Sequence, residues 1–129
     1  MKFKYTILYV RNVEETVAFF ENAFGLNRLM IHESGDYGEL DTGSTKLCFS
    51  SLDLMKGFGK SVSLPDPSLP NFEIAFETDN VREALAKSLD AGAELIQDVE
   101  QMPWGQTISY VRDINGFLIE ICSPVSDQG

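Results

Sequence analysis

The chain has 129 residues and a mass of 14.4 kDa, with 43% hydrophobic and 23% charged residues. That balance is ordinary for a globular protein and excludes a disordered, coiled-coil or collagen-like chain, and at this size roughly two thirds of the surface is buried on folding, enough for a core without disulfides or metal. Twenty Asp and Glu against ten Lys and Arg leave a net charge of −10, which gives a phosphate backbone nothing to hold, so no nucleic-acid partner is expected.

Residues 5–10 are an apolar run that predicts a strand leading straight into a helix. Asn12 is the predicted cap, Glu15 closes a capping box, and Val17, Phe20 and Phe24 recur at helical spacing up to Gly25. Strands are predicted at 28–33, 37–41 and 46–50, separated by the turns Ser34-Gly35-Asp36 and Thr42-Gly43-Ser44. Residues 51–71 hold Gly57, Gly59, Pro65, Pro67 and Pro70 and read as a long loop-like connector, in which Met55, Phe58 and Gly59 look like an apolar lid or a contact for a partner.

The pattern then repeats at an offset of 68. Asn80 falls on Asn12, Glu83 on Glu15, Leu85 on Val17 and Ala86 on Ala18, and Gly92 ends the second helix. Strands follow at 94–97, 107–112 and 117–122, with the turn Asp113-Ile114-Asn115-Gly116 before the last. The organisation is therefore a single α+β domain over 1–129, with one βαβββ module at 1–50, the connector at 51–71 and a second module at 72–129. Each module leaves one sheet face bare of helix, so the expected architecture is a cupped mixed sheet with the helices outside and a concave ligand-binding cleft between modules.

The charge is unevenly divided. Residues 1–60 carry eight acidic and seven basic residues, whereas 61–129 carry twelve and three. The second module is either an acidic solvated surface or a face whose carboxylates take a cation. No segment has the roughly 18 consecutive apolar residues of a membrane helix, and the N-terminal run is broken by Arg11-Asn12 without a small-residue cleavage site, so a cytoplasmic chain with no membrane partner is expected. Cys48 and Cys122 each lie in an apolar run and are expected as buried free thiols.

Two stretches, Ile7 to Leu26 (ILYVRNVEETVAFFENAFGL) and Pro103 to Glu120 (PWGQTISYVRDINGFLIE), resemble the vicinal oxygen chelate superfamily, which includes glyoxalase I, bleomycin resistance proteins and extradiol dioxygenases. Ile114 and Asn115 replace the Pro and Asp usual in that turn. The resemblance implies four metal-ligand positions on the sheets. Tyr5 aligns with the first, usually His. Leu47 aligns with the second if Gly43 is matched to Gly116, or Lys46 if the register slips. Glu73 aligns with the third, usually His, and Glu120 with the fourth, usually Glu. Only Glu120 keeps the family residue, and the lone His32 aligns with no ligand position.

A two-His iron site cannot be built from one histidine, which sets the extradiol dioxygenases aside. No cofactor is expected; the alternative is a divalent metal (Mg, Mn, Ni or Zn) on Glu120, Glu73 and Tyr5. Glu73 and Glu120 are also candidates for an acid–base pair in a lyase or isomerase of the glyoxalase type, or for a pair that binds a cationic small molecule without chemistry. Tyr5, Phe49, Trp104 and Gln106 are the expected ligand contacts. The resemblance implies a small-molecule-binding, bleomycin-resistance-like protein, with a homodimer that uses the 51–71 connector.

Overall fold

The computed structural model describes residues 1–125; the last four positions of the second module lie outside them. The chain forms two compact units, Met1–Leu64 and Pro65 onward, each built on its own four-stranded mixed sheet.

In the first unit β1 (Tyr5–Val10) leads through Asn12 into α1 (Val13–Phe24), followed by β2 (Asn27–Ile31), β3 (Tyr37–Asp41), β4 (Lys46–Ser51) and α2 (Leu52–Gly57). The sheet order is β1-β4-β3-β2, with β1 parallel to β4 and the other pairs antiparallel. Asn12 caps α1 by accepting the Glu15 amide at 2.9 Å, and Gly25 closes the helix in the left-handed conformation, φ 69°.

Strand alternation divides this sheet into two faces. Leu8, Val10, Leu40, Leu47 and Phe49 point to one side and are buried with Val13, Val17 and Phe20 of α1. The helix lies close because residue 38 is glycine: a Cβ there would stand 3.0 Å from Val13 Cγ1 and 3.2 Å from Val17 Cγ2. Tyr5, Ile7, Lys46, Cys48 and Glu39 share the other face by their pairing, Tyr5 opposite Lys46, Ile7 opposite Cys48 and Glu39 opposite Cys48.

The connector is not all loop. Ser51 caps the six-residue α2 by accepting the Leu54 amide at 3.0 Å, while its hydroxyl donates to Asp36 at 2.8 Å. Met55, expected in an exposed lid, is instead buried, and Phe58 alone of that pair is exposed. The sequence pattern missed the helix because it has a single turn and a half of apolar spacing and ends in glycine.

The second unit repeats the plan with β5 (Ile74–Glu77), α3 (Val81–Asp90), β6 (Glu94–Gln101), β7 (Thr107–Arg112) and β8 (Leu118–Cys122), in sheet order β5-β8-β7-β6. Asn80 caps α3 by accepting the Glu83 amide at 3.1 Å. Its side-chain amide returns a bond to the Glu83 carboxylate at 3.1 Å, so the predicted box closes side chain to side chain. Val111, Ile119 and Ile121 are buried on the face that α3 covers with Val81 and Leu85.

The tip between β7 and β8 is built around Asp113. Its buried carboxylate accepts the amides of Asn115 at 2.9 Å and Phe117 at 2.8 Å, and Gly116 takes φ 98°. Burial pushes this carboxyl above its ordinary value, against the opposing pull of those amides.

Candidate functional site: a tyrosine between two carboxylates

On the second sheet the face away from α3 carries Ala75, Glu77, Tyr110 and Glu120, and the antiparallel register puts Tyr110 directly opposite Glu120. Glu73 precedes β5 and reaches the same place. The Tyr110 hydroxyl lies 3.2 Å from Glu120 Oε2 and 3.2 and 3.3 Å from the two oxygens of Glu73. The sequence-predicted pair Glu73 and Glu120 is thus brought together, and the residue that joins them is one sequence reasoning did not select.

Electrostatics explain the spacing. A hydroxyl donating to one carboxylate closes to about 2.5–2.7 Å. Here one proton serves two anions, and both contacts stay long. Burial, then the charges of Glu120 and Glu73, push the Tyr110 phenol far above its ordinary value, so it remains a neutral donor. No Lys, Arg or His among the described residues pairs with either carboxylate. The cation on the same strand as Tyr110, Arg112, is committed elsewhere: it pairs with Glu94 at 3.3 Å and donates to the Pro67 carbonyl at 2.9 Å. Cys122 shares this face; burial raises its thiol first, and the charges of Glu120, Glu77 and Glu73 add to the shift.

The remaining expected contacts fall elsewhere. Trp104 is 55% exposed in the turn after β6, and its indole donates to Gln106 Oε1 at 2.8 Å. Gln106 in turn donates to the Ser123 carbonyl at 2.9 Å, so its amide holds the turn and the indole. Strand alternation does not extend to Trp104, because β7 begins only at Thr107. Phe49 is corrected: it is fully buried on the helix side of the first sheet, 5.2 Å from the Phe20 ring, and offers no ligand a surface.

The first sheet also corrects the assumed ligand register. Ile7, the repeat partner of Ala75, pairs with Cys48 as Ala75 pairs with Glu120. The position corresponding to Glu120 is therefore Cys48, and Leu47 faces α1. Matching Gly43 to Gly116 misled by one residue because the two glycines sit at different places in their tips: Gly43 lies five residues before Cys48, and Gly116 four before Glu120, although the first tip is one residue shorter, its strands pairing as 40 with 47 against 111 with 119 in the second.

These residues do not fit a histidine-centred metal. His32 lies beyond β2, bound through Nδ1 to Ser34 at 2.8 Å. At the position equivalent to Glu120 stands a buried thiol beside the Tyr37 hydroxyl, with burial pushing the thiol up. Two positions away on that face Lys46 presents an ammonium, 3.1 Å from Glu39 and 5.7 Å from the Tyr5 ring centroid. A fixed cation beside a candidate ligand opposes a second cation. Among the described residues no three His, Cys, Asp or Glu side chains are grouped to hold a metal ion.

Comparison with known structures places this geometry in context. A glyoxalase/bleomycin resistance protein/dioxygenase family enzyme from Burkholderia phytofirmans PsJN superposes with a TM-score of 0.80 at 18% identity, over 95% of this chain and 98% of that one. A protein of unknown function from Agrobacterium tumefaciens str. C58 gives 0.77 at 24% identity, over 96% and 94%. TioX from Micromonospora sp. ML1 gives 0.72 at 22%, over 95% and 98%. At these identities the likeness is one of fold. No curated protein matches the chain. The glyoxalase-like domain model matches residues 3–126, almost the whole sequence, and with the paired βαβββ units it establishes that the chain belongs to the glyoxalase-like domain family of the vicinal oxygen chelate superfamily.

Proposed function

We propose that the protein is a small-molecule-binding member of this family and that the Glu73–Tyr110–Glu120 face takes a cationic organic group, without a histidine-based metal. The observation that carries this reading is the pair of carboxylates held at one hydroxyl with no protein cation between them. Two anions sharing one proton repel each other, and an ammonium group relieves that repulsion while the phenol oxygen still has lone pairs to accept a third N–H. The exposed side of Glu73 leaves such a group a way in. The binding step needs no bond made or broken, so sequestration is sufficient as a function. A lyase or isomerase working through an oxygen-ligand metal has less support, because among the described residues no three His, Cys, Asp or Glu side chains are grouped to hold a metal ion.

The test is a thermal-shift and calorimetric comparison of spermine and bleomycin against the uncharged 1,8-octanediol. A ligand bound only by the folded state stabilises by about 2.7 kcal/mol at a hundredfold excess over Kd. Stabilisation by the cations and its loss in Glu73→Gln/Glu120→Gln supports the reading. No shift with either cation, or an equal shift in the double variant, overturns it.

A further inference from the structure

The first unit carries a different arrangement on the face its helix leaves bare. Tyr5 and Ile7 of β1 are each 45% exposed there, beside Lys46 on the neighbouring strand. The Lys46 ammonium contacts Glu39 Oε1 at 3.1 Å and lies 5.7 Å from the Tyr5 ring centroid. Both oxygens of Glu39 are engaged: the other accepts the Tyr37 hydroxyl at 2.9 Å. The ammonium is not, since one of its three donors meets Glu39 and its side chain remains about a third exposed, at 32%. The Glu39 bond also holds Lys46 above its ordinary value, so the charge is permanent at neutral pH.

A fixed positive charge with donors to spare, next to two exposed apolar side chains, selects among ligands by chemistry. An organic cation has no use for the spare ammonium donors. A small hydrated anion gains the charge but leaves Tyr5 and Ile7 in water. An anion with a flat apolar body satisfies both, with its carboxylate on Lys46 and its ring over Tyr5 and Ile7. We propose that this face binds an aryl carboxylate and that Lys46 sets its preference for negative charge. The proposal concerns the first unit alone and is independent of the carboxylate pair on the second.

The experiment is an NMR titration of ¹⁵N-labelled full-length protein with 2-naphthoate, alongside its neutral and cationic relatives 2-naphthylmethanol and 2-naphthylmethylamine. Naphthoate is expected to shift the amides of residues 5–9 and 46–48 and to bind more tightly than either relative. Lys46→Met should weaken naphthoate about tenfold, the loss of one charge-assisted contact, and leave the neutral alcohol unchanged. Lys46→Arg should restore most of the affinity, and Lys46→Gln serves as the neutral variant if Lys46→Met does not fold. Absence of shifts on β1 and β4, shifts confined to the second unit, or equal naphthoate affinity in Lys46→Met or Lys46→Gln would overturn the proposal.

Discussion

Tyr110 and Glu120 sit directly opposite each other on β7 and β8, and the phenol oxygen keeps the same 3.2 Å distance to Glu120 as to the nearer oxygen of Glu73. The sign of its titration follows. A phenol whose folded value is raised contributes stability that is present below its unfolded value, near about pH 10, and lost as pH rises through the folded one. Tyr37 is raised as well, by burial first and by its bonds to Cys48 and Glu39. Of the four tyrosines, these two are expected to resist ionisation in an ultraviolet phenolate titration. Glu120→Gln should lower the Tyr110 midpoint and leave that of Tyr37 in place. An unchanged Tyr110 midpoint would separate its shift from the carboxylate pair.

Phe49 belongs to the core. Phe49→Ala should cost about 3–5 kcal/mol in urea unfolding, as for a large ring removed from a closed aromatic contact. An effect on binding of naphthoate or spermine without loss of stability would contradict the burial described above.

Gly38 is where α1 meets the sheet. Gly38→Ala forces a methyl against Val13 and Val17 at 3.0 and 3.2 Å, and should destabilise the protein by about 1–3 kcal/mol. The double change Gly38→Ala with Val13→Ala should recover part of that loss, measurable as non-additivity in a double-mutant cycle.

Asp113 has the opposite pH signature from a surface carboxylate. Its raised folded value means that ionisation costs stability, so relative to Asp113→Asn the wild type should lose stability as pH climbs from 3.8 through the folded value. Asp113→Ala removes the acceptor for two tip amides and should cost about 2–3 kcal/mol at neutral pH, more than Asp113→Asn, which keeps an oxygen there. Chemical denaturation of the three proteins at a series of pH values tests both statements.

Much of this was legible in the amino-acid sequence. The Asn12 and Asn80 caps, the repeat at offset 68 and five of the six strands predicted after the helices rest on local chemistry, and they lie within a residue or two of where they were expected. Glu94–Gln97 is the exception: it runs on to Gln101, with register shifts between Leu95 and Gln97 and between Gln97 and Glu100. These irregularities broke the alternation that would have announced a longer strand.

The site was half legible. Glu73 and Glu120 stood out by resemblance, but Tyr110 is chosen by cross-strand pairing. Its signal was arithmetical: residues flanking an antiparallel tip sum to a constant, 113 with 117 and so 110 with 120. Phe49 was misplaced because parity along an isolated strand is undetermined until a neighbour's register fixes which side the helix covers. The pairing of Trp104 with Gln106 was hidden because alternation does not survive a turn.

The shorter first hairpin has a consequence for any attempt to transfer residues between duplicated halves. Pairing of the inner strands, β3 with β4 and β7 with β8, preserves which side chains meet, while the tips absorb differences of length. A tip one residue longer renumbers everything beyond it without turning one side chain over, so equivalent positions here are kept by strand lattice and not by counting from a shared glycine. Cys48, not Leu47, is thereby the structural counterpart of Glu120, and the two halves are best aligned outward from the parallel pairs β1–β4 and β5–β8.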